Sequence, residues 1–175
     1  KASLEQNLDE MGIVLSDEDQ KKVLNKIIEL GDSKQTITPE DLPFIITDVL
    51  ENKDGQRIVL EGCETMSNLN AKAQAKLSIM FDGTLISETG TGNGAYDALV
   101  DALDKILEAN GTVSRPKLID YQIHIPRGGQ TNALTEAAIT WELENSRKMT
   151  TRGVNSNQVF AAMQATIKVI NAIMD

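Results

Sequence analysis

Three glycines in five residues, Gly90-Thr91-Gly92-Asn93-Gly94, run directly into Ala95-Tyr96-Asp97, and this stretch is the best placed in the chain to hold a small charged ligand. Residues 73–87 before it read as two strands around a turn at Asp82-Gly83. After it, 95–108 sets Leu99, Ala102, Leu103, Ile106 and Leu107 at helical spacing. The glycines therefore lie between a strand and a helix start. Glycine there permits positive φ and close backbone approach, and the unpaired N–H groups of a helix start, with their partial positive charge, suit a carboxylate or phosphate. On spacing alone a tight turn with a helix cap is the simpler account of Gly92 and Gly94. The pattern is G-x-G-x-G, not the dinucleotide G-x-G-x-x-G, and no P-loop Lys-Ser/Thr pair follows. Tyr96-Asp97 adds an aromatic face beside a carboxylate. A ligand with an anion, a cation and an apolar tail satisfies loop, acid and ring together, and that describes an amino acid.

Catalytic groups are scarce elsewhere. His124 is the sole histidine and Cys63 the sole cysteine, so neither a zinc site nor an intrachain disulfide is expected. The alternation of Tyr121, Ile123 and Ile125 puts His124 on the opposite strand face, as a surface or interface residue. No Gly-x-Ser-x-Gly elbow is present, and Glu136, Glu142 and Glu144 read as scattered surface acids. An autonomous enzyme is not expected, and no metal ligands are assigned.

Two kinds of element must position the glycine stretch. Residues 1–50 read as three short helices: one capped by Ser3 and stopped at Gly12; one capped by Ser16, with Val23, Leu24, Ile27 and Ile28 as its stripe, ended by Gly31; and one opened by Thr38-Pro39-Glu40-Asp41. The polar turn at 51–56 marks a boundary, which gives a helical segment at 1–52 and a second domain at 57–175. The second domain reads as strand (57–63), hairpin (73–82, 84–87) and helix (95–108), then again as strand (118–125), strand pair (134–142, 148–152) and helix (157–174). Gly153-Val154-Asn155-Ser156-Asn157 holds the place in the second half that Gly90 to Gly94 holds in the first. The expected fold class is α+β, a tandem β-β-β-α pseudo-repeat preceded by a small helical subdomain. One such unit covers a single face of its sheet, so each needs the other or a partner subunit.

With 175 residues and a net charge of −9, the composition argues against nucleic acid and anionic membranes as partners. No apolar run reaches the ~20 residues of a bilayer span, and the cytoplasm is the expected compartment. The start at Lys1 suggests a fragment or a processed product.

Gly92-Asn93-Gly94-Ala95-Tyr96-Asp97-Ala98, Lys117-Leu118-Ile119-Asp120-Tyr121, Pro126-Arg127-Gly128-Gly129-Gln130-Thr131-Asn132-Ala133-Leu134 and Arg152-Gly153-Val154, in this order, resemble the C-terminal allosteric domain of the 2-isopropylmalate synthase and citramalate synthase family. Lys1-Ala2-Ser3-Leu4 and Thr38-Pro39-Glu40-Asp41-Leu42-Pro43 resemble the helical subdomain that follows the catalytic barrel of that family. The resemblance implies a parent enzyme that condenses acetyl-CoA with 2-oxoisovalerate or pyruvate, using a divalent metal in a barrel absent from this sequence. It also implies a dimer that binds the end-product amino acid, leucine or isoleucine, near its interface and signals to its own catalytic domain. Cofactors are not expected in this segment.

Carried over by motif, the resemblance makes Tyr96 and Asp97 the ligand-contacting pair beside Gly92 and Gly94. Leu118, Tyr121 and Ile125 become an apolar wall, with Leu118 out of phase with the other two. Thr131 and Thr135 fall in the Gly-Gly loop and the strand after it, and Gln158 is a polar contact at the last helix. Thr135 and Ser156 depart from the family pattern at the pocket lining, which leaves leucine and isoleucine both open. For each position the plainer account is core or cap. From another class, the domain is purely a structural dimerisation module and the glycine stretch merely a turn.

Overall fold

The computed structural model describes residues 2–32, 37–52, 55–111, 113–126 and 133–174. Local signals shape the helical segment. Helix α1 (Ala2–Met11) stops where Gly12 turns left-handed at φ +69°, with Gly12 N–H donating to Asp9 O and Ile13 N–H to Leu8 O. Because α1 begins at Ala2, Ser3 lies within its first turn and not ahead of it as expected. Ser16 Oγ accepts from Asp19 N–H at the head of α2 (Asp17–Asp32), as its sequence predicts. The α2 helix runs through Gly31, and Ile28 leaves the expected stripe at 52 % exposure while Leu30 is buried. Thr38 and Asp41 cap each other around a single 3-10 turn, Pro39–Asp41, that leads into α3 (Leu42–Glu51). Helices this short depend on packing. Leu4, Leu8, Val23, Leu30, Leu42, Ile45, Ile46 and Val49 supply it, closing over Leu134 and Val154 from the part that follows.

That part is α+β, as expected: two antiparallel three-stranded sheets, each followed by a helix. The first holds β1 (Ile58–Met66), β2 (Ala73–Phe81) and β3 (Thr84–Gly92), with α4 (Ala95–Ala109) behind it. The second holds β4 (Lys117–His124), β5 (Thr135–Glu142) and β6 (Lys148–Asn155), with α5 (Gln158–Met174). The middle strand is central in each sheet. Strict alternation on β2 sends Ala73, Ala75, Leu77, Ile79 and Phe81 inward and leaves Gln74 and Lys76 in water. The repeat extends to its irregularities. A bulge in β1 between Leu60 and Gly62 is matched in β4 between Leu118 and Asp120.

The two units exchange edge contacts. Asn171 of α5 accepts from Ile58 N–H and donates to Ile58 O, both at 2.9 Å, so the second helix holds the edge strand of the first sheet. In return Arg115, just before β4, grips Asp104 of α4 through two bonds of 3.1 and 3.2 Å. Residues of both sheets and both helices, Leu77, Leu103, Ile139, Trp141 and Ile170 among them, form one core.

Candidate functional site

Gly90 and Gly92 belong to β3 and not to a loop, and none of Gly90, Gly92 and Gly94 has a positive φ. The expectation of left-handed backbone there is overturned. Sterics explain the first two: a Cβ on Gly90 would lie 2.2 Å from Ala98 O, and one on Gly92 2.6 Å from Asp97 Cβ. These glycines let α4 press onto the end of β3. Thr91 N–H and Lys105 Nζ complete the seal by donating to Asp101 Oδ2 and Thr89 O, each at 3.0 Å.

Gly94 is the N-cap of α4, extended at φ −136°, and among the described residues no side chain caps that helix. The same place in the second unit is filled: Asn157 Oδ1 accepts from Val159 N–H at 2.9 Å and Phe160 N–H at 3.1 Å. In two otherwise matching units, one helix start is closed by its own asparagine and the other has no such acceptor.

Tyr96 turns inward from the α4 start. Its Oη lies 2.7 Å from Thr166 Oγ1, and because Thr166 donates its own proton to Ala162 O, the phenol is the donor. Its ring stands edge-on to Tyr121, 5.6 Å between centroids at 75°. Burial pushes the Tyr96 phenol up to about 12 and raises Tyr121 as well. A neutral, buried tyrosine binds its proton more tightly in the fold than in the open chain, so its stabilisation is lost as pH rises from the unfolded value of about 10 through the folded one. A phenolate absorbance titration is therefore expected to place the Tyr96 ionisation at about 12 and that of Tyr121 above the ordinary tyrosine value. The Tyr96→Phe variant should lose less stability over that interval than the natural chain. Equal losses would place the alkaline sensitivity elsewhere.

Asp97 faces the other way. It is exposed and packs its Cβ by Gly92. Leu118 and Tyr121 share the inward face of β4, because the bulge after Leu118 shifts the alternation by one residue. The expected phase mismatch between them is thereby removed. Ile125 lies just past the strand end and is 54 % exposed. At a rise of about 3.3 Å per residue, Leu118 and Ile125 stand roughly 20 Å apart, too far to line one pocket for a single amino acid. Thr135 is buried at the start of β5, opposite Asn155, and Gln158 is exposed as the first residue of α5. Thr131 lies outside the described residues.

The expected residues thus fall into three groups: Gly92, Gly94 and Asp97 at the α4 start; Tyr96, Tyr121 and Leu118 on the inner wall; and Ile125, Thr135 and Gln158 at one end of the second unit. Cavities open at other places, one of about 480 Å³ touching the glycine stretch at Gly90 and Thr91. Another of about 140 Å³ is lined by Glu51, Gln56, Met149, Thr151, Lys168 and Asn171, among others.

Sequence reasoning missed a second polar centre. Lys168 of α5 is 8 % exposed, and its ammonium donates to Asp48 Oδ1 at 2.7 Å, Asp48 O at 3.1 Å and Glu51 Oε2 at 3.1 Å. Arg152 of β6 holds Glu51 from the other side through its N–H and Nη1, both at 3.0 Å. Glu136 is buried nearby, and that burial raises its carboxyl against the opposing pull of Arg152 and His124. A lysine at an inward helical position was the available signal. Among the described residues no three His, Cys, Asp or Glu side chains gather as a metal site, and no helix is long and apolar enough to cross a membrane. This donor set does not fit a divalent metal.

Residues 36–174 match the family model described as the LeuA allosteric (dimerisation) domain. The chain belongs to this family. Its relatives carry two names. It is 28 % identical over 173 residues to "Putative (R)-citramalate synthase CimA" of Archaeoglobus fulgidus, covering 99 % of this chain and 34 % of that protein. It is also 28 % identical to 2-isopropylmalate synthase of Aquifex aeolicus, covering 97 % and 31 %. A "Probable 2-isopropylmalate synthase" of Methanopyrus kandleri is 29 % identical, covering 98 % and 34 %. This LeuA-type domain, with its helical segment, spans about a third of the length of the curated relatives it matches.

Proposed function

We propose that this chain is the end-product-sensing region of a cytoplasmic 2-isopropylmalate synthase, the enzyme that condenses acetyl-CoA with 2-oxoisovalerate, and that it binds leucine as a homodimer to restrain its own metal-dependent catalytic domain. What supports the reading beyond family membership is the difference between the two helix starts. The α4 start has no side-chain cap and carries an exposed acid, whereas α5 is closed by Asn157.

A leucine carboxylate placed there meets unpaired N–H groups and the positive end of the α4 dipole. Its ammonium meets Asp97, and its branched tail lies towards the Tyr96 and Tyr121 rings. Ile125, Thr135 and Gln158 are drawn in when a second copy supplies the missing walls, which accounts for ligand residues being spread over three groups in one chain. Sensing of isoleucine by a citramalate synthase is the second reading, favoured by the equal identity of this chain to relatives of both names.

Titration calorimetry and thermal unfolding with each amino acid test the proposal. At a hundredfold excess over Kd the bound form gains about 2.7 kcal/mol, a rise in Tm of roughly 5–10 °C for a chain of this size. Leucine should produce it and isoleucine should not. The reverse result supports the citramalate reading, and a folded dimer unmoved by either reduces the domain to a structural module.

A further inference from the structure

α5 touches both the candidate effector wall and the helical segment. On one side Thr166 accepts the Tyr96 hydroxyl at 2.7 Å; two residues further, on another side, Lys168 holds Asp48 and Glu51 of α3. We propose that Lys168 is a positioning residue for feedback: it latches α3 to α5, and effector binding at Tyr96 acts on the helical segment by shifting this buried ion pair. This rests on the proposed function and adds to it the route by which occupancy leaves the domain.

Three features make the contact a switch and not merely a fastening. It is buried, with Lys168 8 % and Asp48 1 % exposed, so a displacement of α5 by a fraction of an ångström is felt steeply in the low local dielectric. It is incompletely satisfied: among the described residues Asp48 Oδ2 has no hydrogen-bond partner, and the Lys26 ammonium of α2 stands 3.8 Å from it. A second arrangement in which that oxygen is bonded is therefore within reach of a small shift. It also adjoins space, since the 140 Å³ cavity lined by Glu51, Thr151 and Lys168 leaves room for the ammonium to move. Arg152 extends the latch to β6, so α3 is held by both the strand and the helix of the second unit. Among the described residues the first unit has no equivalent contact. Lys168 stands ten residues after the first residue of α5, and the same step into α4 gives Lys105, which is exposed and donates to Thr89 O of its own sheet.

The test uses the full-length enzyme and compares two quantities, the Kd for leucine and the leucine concentration that halves activity. In Lys168→Met and in the milder Glu51→Gln, Kd is expected to stay within threefold of the natural enzyme while the inhibitory concentration rises tenfold or more. Lys168→Arg, whose larger head the adjacent cavity accommodates, should restore inhibition. Hydrogen exchange should report faster opening of α3 in Lys168→Met without leucine. Should both variants keep natural inhibition, the latch is wrong while leucine sensing stands. Should the natural enzyme bind neither leucine nor isoleucine, the proposed function fails and the latch falls with it. If Lys168→Met does not fold, Glu51→Gln decides alone, because its partner shape is kept and its side chain is partly exposed.

Discussion

Replacing Gly153 by alanine should destabilise the domain by about 3–4 kcal/mol, more than most single methyl additions to a packed interior. A Cβ at that position would lie 2.0 Å from Ala161 O and 2.7 Å from Gln164 Cβ. The first of these is helix backbone and cannot step aside without moving α5, which carries Lys168, Asn171 and the core residues Met163, Ile167 and Ile170. The corresponding change Gly90→Ala meets Ala98 O at 2.2 Å and Ala102 N at 2.6 Å, and should be similarly damaging. Gly62→Ala is the control. Its Cβ finds only Ser78, at 3.7 Å, an ordinary contact, and replacing glycine within a strand should leave stability unchanged or raise it by up to about 1 kcal/mol. Chemical denaturation of the three variants separates close packing from a general intolerance of substitution. Similar losses at all three would remove the explanation.

The same comparison shows what could be read from residue order. Gly90 and Gly153 each stand five residues before a helix, and that repetition exposed the tandem units. The purpose of the glycines was not legible, because a G-x-G-x-G run looks the same whether it frees the backbone or makes room for a neighbour. Only the opposing Ala98, Ala102 and Ala161 distinguish the cases, and they are opposite only after folding. Strands ran longer than expected: β1 continues to Met66 and β3 to Gly92, since their outward residues are polar or exposed and break the apolar signal while the ladder to β2 persists. The bulge after Leu118 leaves no mark in composition, so counting by twos put that residue on the wrong face. Helix starts at Ser16, Thr38 and Asn157 were legible because a cap is local chemistry. The ion pairs joining Lys168 to Asp48 and Glu51 link residues 120 and 117 positions apart, a distance no local rule crosses.

Asp97→Ala should weaken amino-acid binding by about 10- to 150-fold, the equivalent of the roughly 1.5–3 kcal/mol carried by a hydrogen bond to a charged group. The carboxylate lies on the exposed first turn of α4, where it already interacts favourably with the helix dipole, so its removal also costs roughly 0.3–1 kcal/mol of stability. That small loss makes the variant informative, because a folded chain with weak binding separates ligand recognition from packing. Tyr96→Phe works in the opposite sense. Removing the hydroxyl frees Thr166 from the α4 start, yet keeps the ring against Tyr121, so affinity should change far less than with Asp97→Ala. Calorimetry gives both affinities, and sedimentation gives the mass of the assembly. If Asp97→Ala binds as the natural chain does, the ammonium is held elsewhere, and the uncapped start of α4 is only the end of a helix.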